Sequence, residues 1–137
     1  MYCTEQDLET RFGADELDTV AWDPDTGARD TEKITRACQD ATETINAYIG
    51  AIATVPLAEP VPEVIVRLAC DMARYRLHDN NPLDEVTKRF EAALRMLRDF
   101  SDGKAVLQLA TTESSADVYA QRDEHDRTFT RETLADF

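Results

Sequence analysis

The sequence predicts an all-α protein, a small bundle of four to five helices followed by a long extended C-terminal arm. Three observations carry that prediction. Apolar residues recur at i, i+3, i+4 and i+7 through three separate stretches, each closed by proline, glycine or asparagine; no stretch alternates as a strand would; and the periodicity stops at Gly103, beyond which the chain is polar. The boundaries that follow are a helical core over 1–103 and an extended arm over 104–137.

Taken in order, Thr4 caps a short helix, with Asp7 placed to return a bond to the cap, Leu8 and Phe12 one turn apart, and Gly13 closing it. Ala14 to Leu17 begins another turn or two. Asp23-Pro24-Asp25-Thr26-Gly27 then has the chemistry of a loop. Asp30 caps the clearest helix, whose stripe of Ile34, Ala37, Cys38, Ala41, Ile45, Tyr48, Ile49 and Ile52 faces a core, while Glu32, Lys33, Arg36, Gln39, Asp40 and Glu43 form the opposite face.

Val55 to Pro62 holds three prolines and cannot stay helical. Pro62 suits the first turn of the next helix, where Val64, Ile65, Leu68, Ala69, Met72 and Tyr75 or Arg76 make a second stripe. After the polar break His78-Asp79-Asn80-Asn81, the spacing predicts a last helix from Pro82 to about Phe100, with Asn81 as cap and Leu83, Val86, Phe90, Ala93, Leu94, Leu97 and Phe100 apolar. Ala105 to Leu109 is short enough to be extended, and Thr111 to Asp117 has no period. In the arm, Tyr119, Phe129, Leu134 and Phe137 stand isolated among Asp, Glu, Arg and Thr, a spacing that suits docking on another surface as well as a frayed terminus.

At 137 residues with 42% hydrophobic and 31% charged residues, one globular domain with one core is expected. A net charge of −13 argues against gripping phosphate backbones or anionic membranes. Cys3, Cys38 and Cys70 lack CxxC spacing and read as reduced, buried thiols. The start lacks the basic and apolar regions of a secretion signal, and no apolar run approaches the roughly 18 residues of a membrane span.

Candidate chemistry is sparse. Asp123-Glu124-His125-Asp126 carries metal-friendly groups, but neighbours in sequence point apart and no second cluster completes a sphere, so solvated charge is the better reading. His78 beside Asp79 lacks a nearby nucleophile and reads as a surface histidine. There is no phosphate-binding glycine loop, no GxSxG and no HExxH, so neither catalytic residue, cofactor nor metal is assigned. Arg67, Arg74 and Arg76, with Lys88, Arg89, Arg95 and Arg98, form the main basic concentration, suited to ion pairs within the chain or to an acidic neighbour.

Several ordered segments resemble one family. They are Tyr2-Cys3-Thr4-Glu5-Gln6-Asp7-Leu8 with Arg11-Phe12-Gly13-Ala14-Asp15-Glu16-Leu17, then Ile34 through Ala47-Tyr48-Ile49, Pro56-Leu57, Leu68 through Tyr75, and finally Arg122 and Phe129-Thr130-Arg131-Glu132-Thr133-Leu134. Together they resemble the small helical connector proteins of Mu-like phages and prophages, which belong with the head-tail connector, or adaptor, proteins of tailed phages. The resemblance covers most of the chain.

It implies a structural virion protein rather than an enzyme, assembled in the host cytoplasm into a homo-oligomeric ring, commonly twelvefold, in the neck below the portal. Its implied partners are further copies of itself, the portal protein and a tail-side stopper or completion protein, with the genome passing through without sequence-specific binding. It further implies that the arm clasps the portal, and the arm residues Tyr119, Phe129, Leu134 and Phe137 are the candidate contacts. The loop over 23–29 is of a variable kind, so no contact is assigned to it, and the tail-facing surface is not identified. Composition alone leaves a second reading, a cytoplasmic helical interaction or regulatory module.

Overall fold

The computed structural model describes residues 1–79 and 81–109. Five helices, α1 (Glu5–Phe12), α2 (Ala14–Val20), α3 (Thr31–Ile49), α4 (Glu63–Leu77) and α5 (Asp84–Ser101), are joined by short connections and one small hairpin, β1 (Trp22–Asp23) with β2 (Ala28–Arg29). The all-α expectation holds, with five helices among the described residues.

Local chemistry sets the ends of the helices. Thr4 and Asp7 form a reciprocal capping box at α1, satisfying two backbone donors that the first turn leaves orphaned. Gly13, at φ +92°, turns the chain straight from α1 into α2, a backbone angle that a side chain would strain, and its N–H donates to the Glu9 carbonyl at 2.9 Å. Asp30 caps α3 by accepting from the Lys33 N–H at 3.0 Å.

The segment read as a loop is the tip of a hairpin. Trp22 pairs with Arg29 and Asp23 with Ala28, and the Asp23 carboxylate organises the turn by accepting from the Asp25 N–H at 2.9 Å and the Thr26 hydroxyl at 3.1 Å. Two-residue strands carry no detectable alternation, which is why the sequence shows only the turn. Two further expectations change. α5 begins at Asp84, so Asn81 is not its cap; Leu83 holds that position in an extended conformation without a capping side chain and is 61% exposed. Ile52 lies beyond the end of α3 and is 43% exposed, because the helix stops at Ile49.

α3 and α4 pack most extensively, and α5 closes a three-helix core against both. The apolar stripes meet there: Ile34, Ile45 and Ile49 of α3, Ile65, Leu68 and Met72 of α4, and Leu97 of α5 are buried. Leu8 and Leu17 bring α1 and α2 into the same cluster. Tyr75 and Phe90 stack between α4 and α5 with ring centroids 4.0 Å apart.

Tyr2 ties the start of the chain to the connection before α4. Its N–H donates to the Thr42 hydroxyl at 3.0 Å, its own hydroxyl donates to Asn46, and the same oxygen accepts from the Leu57 N–H at 2.9 Å. Beyond α5 the chain stays attached to the body: Ala105, Leu107 and Leu109 pack against the core while Val106 between them is 85% exposed. The arm residues from 110 onward lie outside the described residues.

Candidate functional site

Among the described residues, a surface concavity lies between α1, α4 and α5. It is a groove of about 470 Å³ with Phe12, Leu68 and Met96 in its apolar floor and Arg11, Arg67 and Arg89 around it. Helical spacing builds it. Arg67 and Asp71 are one turn apart on α4, Arg89 and Met96 two turns apart on α5, and Arg11 with Phe12 forms the end of α1.

Two of these arginines have carboxylate partners on the open rim, Arg11 with Glu63 and Arg89 with Glu85 at 3.0 Å. Among the described residues Arg67 forms no ion pair, and its guanidinium lies 3.8 Å from Met96 Sδ. Asp71 is the acidic lining residue, and burial pushes its carboxyl up from the usual range against the opposing pull of Arg89 and Arg67. Nothing in this arrangement pairs a nucleophile with a base; it offers an apolar surface edged by cations.

The basic concentration on α4 and α5 thus divides. Arg74 turns to α2, where it grips Glu16 with two nitrogens at 2.6 and 3.1 Å and lies 4.4 Å over the Phe12 ring. Arg76 reaches Asp40 of α3 at 3.8 Å. Arg67 and Arg89 share the groove with Arg11, which the sequence reading left out because α1 is remote in the chain.

His78 is not a surface histidine. It is largely covered, and its Nε2 lies 3.1 Å from Glu16 Oε1, completing a Glu16–Arg74–His78 cluster, whereas Asp79 pairs with Lys33 at 2.7 Å. Burial pushes the Glu16 carboxyl up, but Arg74 and His78 together outweigh it and hold the group below its ordinary value. Glu16 was missed because its two partners come from the far end of α4.

All three cysteines are buried and free. They also converge: the thiols of Cys38 and Cys70 beside it, together with burial, push the Cys3 thiol far up. Among the described residues, no three His, Cys, Asp or Glu side chains are arranged to hold a metal ion. Nor is any helix among them long and apolar enough to cross a membrane. Tyr119, Phe129, Leu134 and Phe137, with the Asp123–Asp126 run, lie outside the described residues.

Comparison with known proteins adds what geometry cannot. The model of the family described as "Bacteriophage Mu, Gp36" matches residues 2–123. The chain belongs to the bacteriophage Mu Gp36 family. Among its relatives, the Mu-like prophage FluMu protein gp36 of Haemophilus influenzae is 30% identical over 117 residues, covering 85% of this chain and 82% of that protein. Gene product J of Escherichia phage Mu is 30% identical over 105 residues, covering 75% of this chain and 73% of that protein. This chain is therefore a Mu-like phage protein, as the resemblance implied. The matched span takes in α1 to α5, so the whole helical body, groove included, lies within the Gp36 family region.

Proposed function

We propose that this member of the Gp36 family is a structural head-tail connector, an adaptor that forms a ring below the portal in the virion neck, joins capsid to tail and extends the DNA channel. The observation that carries the reading is the match to the Gp36 family across residues 2–123, which sets the chain among Mu-like phage proteins. The helical body supports it: a ring subunit needs rigid elements and two different lateral faces, and the acidic outer face of α3 and the arginine groove differ in chemistry. A net charge of −13 suits a channel wall that lets DNA slide past. The arm, with Tyr119, Phe129, Leu134 and Phe137 as its isolated apolar candidates, supplies a segment able to reach the portal or a neighbouring subunit.

Mixing the full chain with the cognate portal protein tests this. Negative-stain images and mass measurement should show a ring of copies seated on the portal; a chain that stays monomeric and never binds portal at any concentration rules the reading out. Deleting residues 110–137 should keep the helical circular dichroism signal, since the packed body extends to Leu109, and should weaken portal binding. Unchanged binding would remove the arm from the mechanism.

A further inference from the structure

The lining of the groove between α1, α4 and α5 holds three arginines, Arg11, Arg67 and Arg89, against one carboxylate, Asp71, on a chain whose net charge is −13. Its rim arginines, Arg11 and Arg89, are partnered by exposed Glu63 and Glu85, and Arg89 also lies 4.0 Å from Asp71, while Arg67 has no carboxylate partner among the described residues. Beneath them Phe12 and Met96 offer apolar contact. A fitting ligand therefore combines apolar side chains with carboxylates and brings no cation of its own.

The stretch Glu132-Thr133-Leu134-Ala135-Asp136-Phe137 has that composition: two acids, two large apolar residues and no base. We propose that the groove receives residues 132–137 of a second copy of this chain, the next subunit in the ring, an inference that rests on the ring reading above. Leu134 and Phe137 cover the floor formed by Phe12 and Met96, and Glu132 and Asp136 meet Arg67 and Arg89 at the rim.

Reach permits this. Residues 110–131 span up to about 70 Å when extended at roughly 3.3 Å per residue, against a radius of gyration of about 13 Å for a body of some 100 residues. The contact is also of the right type. Segment and groove share no residue, so each copy gives one and receives one, and such head-to-tail contacts close into rings when the rotation allows.

The test uses the full chain with Phe137 replaced by the photo-crosslinker p-benzoylphenylalanine, prepared in ¹⁴N and ¹⁵N forms that are mixed, irradiated with and without portal, and mapped by mass spectrometry. Cross-links should join residue 137 of one isotope to groove peptides of the other. Arg67→Glu with Arg89→Glu should reduce them at least tenfold, and Glu132→Lys with Asp136→Lys should restore them. Both arginines are exposed, so folding should survive, and the arm variant alone, which leaves the body untouched, should show the same loss. Cross-links only within one isotope, cross-links elsewhere, or none would overturn the inference. A ring on the portal without the groove cross-link overturns this proposal and leaves the connector reading standing; groove cross-links between copies that never bind portal do the reverse.

Discussion

At the scale of single residues, the most consequential group is Glu16, because one carboxylate satisfies both Arg74 and His78 where side chains are mostly covered. Its folded-state value lies below the ordinary 4.5, so the unfolded chain takes up the proton first as pH falls. The stabilisation it supplies is fully present above the ordinary carboxylate range and disappears as acid carries the protein through the lowered folded value. Glu16→Gln should therefore cost about 1–3 kcal/mol near neutral pH, the range for leaving a covered hydrogen-bonding partner unmatched, and the gap between variant and wild type should narrow on acidification. Denaturant melts at several pH values would check it; a gap that widened toward acid would contradict the assignment. None of this was legible in the sequence. Glu16 and His78 sit far apart in the chain, and the exposed appearance of His78 came from its polar neighbours, which say nothing about what α2 lays over it. The groove was half legible, through Arg67 and Arg89 on the basic faces of α4 and α5, and half hidden, because Arg11 arrives from α1.

Among the elements, the helices were readable because each repeats an apolar stripe for several turns and ends in residues that cannot continue it. The ends were harder where two signals competed. Asn81-Pro82 has the composition of a helix start, yet α5 begins two residues later with Asp84 and Glu85 in its first turn, where acids favour the helix dipole. The joint that the sequence concealed most fully is the one between α1, α2 and the hairpin. Arg29 of β2 holds it, meeting Glu5 at 2.8 Å, Glu9 at 2.9 Å and Asp18 at 2.7 Å, and these three acids push its already high basicity further up. Arg29→Ala leaves the three carboxylates facing one another. The variant should melt at a lower temperature than wild type in dilute buffer, with the deficit shrinking as salt screens the repulsion, and α1 to β2 should gain hydrogen exchange before α3 to α5 does. Equal exchange across all elements would show that Arg29 holds nothing together.

For the whole molecule, one core joins the first residues to the last helix, and the three thiols lie inside it. Their relative exposures are 1%, 1% and 0% for Cys3, Cys38 and Cys70. Because the reactive species is the thiolate, modification by an aromatic disulfide reagent should wait for the body to open, proceeding at the pace of unfolding and reaching three equivalents only in denaturant. Rapid native-state reaction of any one thiol would show that its end of the core opens independently. Burial of Cys38 followed from its place on the α3 stripe; Cys70 lies beside the α4 stripe, next to Ala69, and Cys3, which precedes the first helix, is enclosed where Tyr2 anchors the chain against α3 and the 51–62 connection. The single core among the described residues was equally legible, since stripes of similar width on three helices have each other to cover them.

The hairpin has an optical consequence. Trp22 is the sole tryptophan of the chain and is 55% exposed at the base of β1, outside the core. At that exposure its emission should resemble that of a partly hydrated indole and change little when the core melts. Emission from this protein therefore reports on whatever approaches the hairpin: a blue shift on mixing with another component would mark that corner as covered in the assembly, even where the helices remain undisturbed.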